Sequence, residues 1–182
     1  MLNLANILTL VRLACAAPIV LLILAGRYEV AFWVFMAAAL SDAADGFVAK
    51  RFNGCTPVGA VLDPAADKIL IVSLFLALLS VEALPLWLVV LAIVRELVLV
   101  GGTALLRYRL RHFRVEPLVV GKLTTLVQLS LAGFVLGQLG GIAEVGAALA
   151  VLVPLTAVIT VVSAIAYVGA GLRLSACAHT SS

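Results

Sequence analysis

Apolar residues dominate this chain in successive runs, each closed by a few turn-forming or charged positions, and six of the runs approach the roughly 20 residues that cross a bilayer as a helix. The first is expected near 14–25 and the second from about 30 into a polar stretch at 41–68. The third covers roughly 67–81, the fourth 86–106, the fifth starts near 119 and the sixth covers 142–168. Turn residues separate them at 26–29, 53–57 and 82–85. The pattern predicts an all-α polytopic membrane protein with six transmembrane helices in a bundle. Residues 1–13 mix Asn3, Asn6, Thr9 and Arg12 with apolar positions, which predicts a short N-terminal amphipathic segment on the membrane surface. The tail, 169–182, is expected to be frayed and exposed.

The polar positions that interrupt the runs carry the chemistry. Four of the nine acids, Asp42, Asp45, Asp63 and Asp67, lie in the single stretch 41–68. If 38–51 is helical, Asp42 and Asp45 share a face, with Gly46 and Ala49 beside them to let a ligand approach; a second helix opening near Asp63 likewise puts Asp63 and Asp67 on one face. An ionised acid at membrane depth costs about 3 kcal/mol on insertion scales unless it is compensated. Only Lys50, Arg51 and Lys68 stand nearby in sequence, so divalent cations are the natural partners. All-oxygen ligation favours magnesium, manganese or calcium over zinc. Two metals clamped by shared carboxylates suit phosphoryl transfer, because they neutralise the attacking and the leaving oxygens. The bland alternative is a set of helix caps and salt bridges.

Other polar positions fall inside the later runs. Arg95 and Glu96 are the one charge pair in the middle of a span. Neighbours on a helix point about 100° apart, so they are not expected to neutralise each other, and at least one should face a polar cavity. Lys122, Thr124, Thr125 and Gln128 form a polar stripe that could look into the same cavity. Gly121-Lys122-Leu123-Thr124 lacks the spaced glycines of a phosphate loop. Gly133, Gly137 and Gly141 make two overlapping GxxxG units, suited to close helix packing within the bundle or between subunits.

Composition sharpens this reading. Hydrophobic residues make up 65% of the 182 and charged residues 12%, half the usual share for a soluble domain. One membrane domain, 1–182, accounts for the whole length. The net charge of +3 comes without a basic patch interleaved with aromatics, so no nucleic-acid partner is expected. Cys15, Cys55 and Cys177 are odd in number and scattered, which suggests neither a disulfide framework nor a metal knuckle. Leu13-Ala14-Cys15 faintly resembles a lipoprotein box, but Arg12 stands where an apolar residue belongs and the apolar run follows the cysteine. Neither a lipoprotein nor a secretory signal is expected. With six spans and both termini on one side, ten of the twelve Lys and Arg fall on that side, Arg27 on the other and Arg95 within a span. By the positive-inside rule the acidic stretch opens to the cytoplasm.

As a spacing pattern the stretch reads D-x2-D-G-x2-A-K-x8-G-x3-D-x3-D, carried by Asp42, Asp45, Gly46, Ala49, Lys50, Gly59, Asp63 and Asp67. It resembles the signature of the CDP-alcohol phosphatidyltransferases, with one departure: the family usually has Arg where this chain has Lys50, followed by Arg51. Lys keeps the charge but not the bidentate fork. The run 6–12, Leu62-Asp63-Pro64, Arg95-Glu96 and the 122–128 stripe resemble the branch holding phosphatidylglycerophosphate synthases and single-domain cardiolipin synthases. The resemblance implies a six-helix membrane bundle, usually a homodimer, in the inner membrane of a bacterium, with a site for two divalent cations, magnesium or manganese, facing the cytoplasm. It implies Asp42, Asp45, Asp63 and Asp67 as metal ligands and Asp67 also as general base. Asp45, Gly46, Ala49, Lys50 and Gly59 match positions around the cytidine nucleotide.

The implied reaction moves a phosphatidyl group from CDP-diacylglycerol to a hydroxyl acceptor and releases CMP. Glycerol 3-phosphate is the favoured acceptor, and phosphatidylglycerol, giving a cardiolipin synthase, is the alternative. Either carries a phosphate that Arg95, Lys122, Arg107, Arg109 and Arg12 could meet. A polyprenyl transferase would carry two separated acidic motifs on a longer chain. A membrane divalent-cation transporter would show an inverted repeat, and the acidic stretch has no second copy.

Overall fold

The computed structural model describes residues 16–49, 59–109 and 119–179, and side chains over 16–41, 68–102 and 120–170. The described residues form six helices and no strand: α1 (16–24), α2 (Tyr28–Ala49), α3 (Gly59–Ser80), α4 (Leu86–Arg109), α5 (Val119–Leu139) and α6 (Gly146–His179). With 21 to 24 residues each and a rise of about 1.5 Å per residue, α2 to α5 match the roughly 30 Å of a hydrocarbon core. Among the described residues, two helices are long and apolar enough to cross a membrane, over Val120–Leu139 and Gly146–Ala170. Shorter apolar stretches cover Tyr28–Ser41 and Lys68–Ser80. α2 runs on past Asp42 and Asp45, and α3 begins before Asp63 and Asp67. The N-terminal amphipathic segment lies outside the described residues.

Three helices end in one motif. After α1, Gly26 N–H donates to Ile23 O at 3.0 Å and Arg27 N–H to Leu22 O at 2.9 Å. Glu82 and Ala83 repeat the pair on Leu79 O and Leu78 O after α3, and Gly141 and Ile142 repeat it on Gln138 O and Gly137 O after α5. Each is a Schellman cap, which turns the chain through one left-handed residue. Those residues are Gly26 (φ 71°), Glu82 (φ 57°) and Gly141 (φ 66°). The turns expected at 26–29 and 82–85 are therefore caps, and Pro85 stands immediately before α4.

In the later helices, buried polar positions face exposed aliphatic ones. On α6 the buried residues are Thr156, Thr160 and Ser163, whereas Val151, Leu155, Val158, Val162 and Ile165 are exposed. On α4, Arg95 and Glu96 are buried together with Leu88, Val89 and Ala92, while Val90, Val94 and Leu97 are exposed. Polar groups inside and aliphatic ones outside fit a hydrocarbon solvent, because a bilayer offers hydroxyls and charges no partners of its own.

Contacts divide the described residues into two units. One holds α1, α2 and α3 with the chain from Ala132 to Leu149; the other holds α4, α5 through Leu131, and α6 from Ala150. In the first, the glycine stripe of α5 packs on α2. Side chains at Gly133 and Gly137 would lie 3.2 Å and 3.3 Å from the rings of Phe35 and Phe32, and one at Gly140 3.0 Å from the Glu29 Cα. Gly141, expected in the stripe, serves the cap instead, and a side chain there would meet nothing within 4 Å among the described residues. The tail expected to be frayed is helical through His179, because 172–178 has good helix formers and no proline.

Candidate active site

All four acids of the signature lie on helices. Asp42 and Asp45 belong to the last two turns of α2, with Gly46 and Ala49, and Asp63 and Asp67 to the first turns of α3, which opens at Gly59. The two helices expected from spacing are thus present, though α3 begins four residues before Asp63. The side chains of these acids lie outside the described residues, as do Arg12, Lys50 and the side chains of Arg107 and Arg109. Among the described residues no group of three His, Cys, Asp or Glu is placed to hold a metal. The donor set of the stretch is carboxylate alone, which fits a hard divalent cation.

The second unit contains a buried polar seam. Arg95, 2% exposed, donates from Nε and Nη2 to Ser163 Oγ at 3.4 Å and 3.2 Å, and from Nη2 to Gly121 O at 3.3 Å. Its Nη1 pairs with the carboxylate of Glu96. That pairing corrects the expectation that adjacent helical residues point too far apart to neutralise each other. Both side chains are long enough to curl back across the 100° between them, and a buried environment rewards the contact.

The expected stripe on α5 splits. Thr124 and Gln128 are fully buried, Thr125 is half-buried, and Lys122 is exposed on another face. Gln128 Nε2 lies 3.5 Å from Thr160 Oγ1, but its Oε1 has no donor among the described residues. The hydroxyls of Thr124, Thr156 and Thr160 donate to the carbonyls one turn back, Val120 O, Leu152 O and Thr156 O. The sequence reading missed Thr156, Thr160, Ser163 and Tyr167, although their spacing of four, three and four residues places them on one helical face.

A profile of the CDP-alcohol phosphatidyltransferase family matches residues 2–168. The chain belongs to this family. Over 178 residues it is 36% identical to a "Probable phosphatidylglycerophosphate synthase" of Mycobacterium tuberculosis, covering 94% of this chain and 82% of that protein. It is 33% identical over 142 residues to the "Cardiolipin synthase (CMP-forming)" of Rattus norvegicus, covering 69% of this chain and 47% of that protein. Similarity of 32% over 154 residues links it to the "CDP-diacylglycerol--glycerol-3-phosphate 3-phosphatidyltransferase 1, chloroplastic" of Oryza sativa, covering 75% and 47%. As a CDP-alcohol phosphatidyltransferase the chain is a phosphatidyl-transferring enzyme of phospholipid synthesis, built from helices suited to a membrane.

Proposed function

We propose that this enzyme transfers the phosphatidyl group of CDP-diacylglycerol to glycerol 3-phosphate, forming phosphatidylglycerophosphate and CMP. The observation that carries the acceptor is coverage: similarity to the phosphatidylglycerophosphate synthase runs through 94% of the chain and 82% of that protein. The cardiolipin reading, with phosphatidylglycerol as acceptor, is second, since the chain spans about half of the rat cardiolipin synthase.

Asp42, Asp45, Asp63 and Asp67 are the carboxylates that would hold two divalent cations, magnesium or manganese. Such ions, when bound, supply positive charge to the pyrophosphate. Asp45, Gly46, Ala49, Lys50 and Gly59 surround the cytidine nucleotide, the two glycines leaving room for its close approach. Asp67 accepts the proton of the acceptor hydroxyl as that oxygen bonds to the phosphatidyl phosphorus. The bond from this phosphorus to the bridging oxygen breaks, and CMP leaves with that oxygen. Arg95, Lys122, Arg107, Arg109 and Arg12 are the cations available to the acceptor's phosphate. The six helices cross the inner membrane of a bacterium as one domain, 1–182, with the acids on the cytoplasmic side, and the chain works as a homodimer.

The test is CMP release by purified protein in detergent with CDP-diacylglycerol and magnesium, comparing glycerol 3-phosphate, phosphatidylglycerol, inositol phosphate and no acceptor. Release is expected with glycerol 3-phosphate and should fall by a factor of about 100 or more in Asp67→Asn. Release with phosphatidylglycerol alone would transfer the assignment to cardiolipin synthesis. No release with any acceptor from folded, metal-supplied protein would sink the transferase reading.

A further inference from the structure

We infer that Arg95 is a positioning residue, which fixes the turn of α5 carrying Lys122 from within the helix packing and does not itself contact the acceptor's phosphate. The inference rests on the transferase reading above and separates Arg95 from the other candidate cations. A guanidinium grips a phosphate best through two parallel N–H groups of its fork. Arg95 has five N–H groups in all. Nε serves Ser163, Nη2 serves Ser163 and Gly121 O, and Nη1 serves Glu96. One N–H remains, on Nη1, so no pair is left for bidentate binding. Turning the fork toward a ligand would also take this counter-charge from Glu96, which is 4% exposed.

What Arg95 holds is informative. Gly121 O is the carbonyl immediately before Lys122, and it also accepts the Thr125 hydroxyl at 3.2 Å. From α6, Tyr167 closes on the same turn, for a side chain at Gly121 would lie 2.5 Å from the Tyr167 hydroxyl. The first turn of α5 is thus held by a guanidinium from α4 and a phenol from α6, while Lys122 itself stays exposed on another face. Lys122 has the free reach a phosphate ligand needs, and Arg95 provides the rigid backing.

The measurement is the KM for glycerol 3-phosphate and kcat of CMP release, with thermal unfolding midpoints, in wild-type full-length protein, Ser163→Ala, Arg95→Met with Glu96→Met, and the triple variant. Removing the Arg and Glu together avoids leaving either member of this pair buried without the other, so this variant retains its fold better than Arg95→Met alone. Ser163→Ala should lower the unfolding midpoint and, by loosening the turn that carries Lys122, raise KM and reduce kcat several-fold, and should have no further effect on these in the background lacking Arg95. A KM raised tenfold or more in the Arg95→Met, Glu96→Met protein, with Ser163→Ala leaving KM at the wild-type value, would overturn the inference, because Arg95 would then act on the phosphate directly and not through the turn it holds. So would a Ser163→Ala protein with wild-type kcat and unfolding midpoint. If the wild type releases no CMP, the transferase reading fails by itself, and the unfolding midpoints still decide whether Ser163 and Arg95 are coupled.

Discussion

Gly140 and Gly101 are both helix-associated glycines, yet substitution at them should act in opposite directions. A methyl group at Gly140 would press on the Glu29 backbone at 3.0 Å, where nothing can rotate away, whereas one at Gly101 would meet nothing within 4 Å among the described residues. Gly140→Ala is expected to cost about 1–3 kcal/mol through overpacking. Gly101→Ala is expected to gain up to about 1 kcal/mol from helix propensity, and thermal unfolding in detergent reads both. A third substitution concerns Gln128, whose buried Oε1 has no donor among the described residues. Gln128→Met removes that acceptor at similar volume, so stability should hold or rise. At this scale the sequence was legible where spacing alone sufficed. Gly133 and Gly137 are the stripe, but which glycine completes it depended on the cap formed at Gly141, a backbone conformation that hydrophobic pattern does not report.

Each helix shows how far local signals reach. Gly26 and Gly141 supply the left-handed residue of their caps without strain, but α3 uses Glu82 at φ 57°. Glu82→Gly should therefore stabilise the protein by roughly 1 kcal/mol, the cost of a left-handed L-residue, seen as a higher unfolding midpoint with unchanged activity. The end of α6 was misread because Gly169 and Gly171 look like a stop, while the residues after them favour continued helix. The buried hydroxyl line of α6 was unread for another reason: Thr and Ser barely alter the hydropathy of an aliphatic run, so Thr156, Thr160 and Ser163 pass unnoticed until their shared burial is seen.

For the whole molecule, the acidic stretch was the most legible feature, because eight specified positions at fixed spacing carry far more information than an apolar run. The seam around Arg95 was the least legible, since its partners are 26 and 68 residues away. Stripping divalent cations with a chelator should abolish CMP release, and magnesium or manganese should restore it, whereas zinc should not. Retained activity in the chelated protein would remove the cation role from Asp42, Asp45, Asp63 and Asp67.

The packing of α2 on the glycine stripe of α5 also sets a timetable for assembly. Phe32 and Phe35 leave the ribosome about 100 residues before Gly137 and Gly133, which at 5–20 residues per second is a delay of roughly 5–20 s. In the proposed six-span topology, α2 would wait through that interval in lipid with two aromatic rings facing acyl chains, until α3, α4 and α5 had followed it into the bilayer.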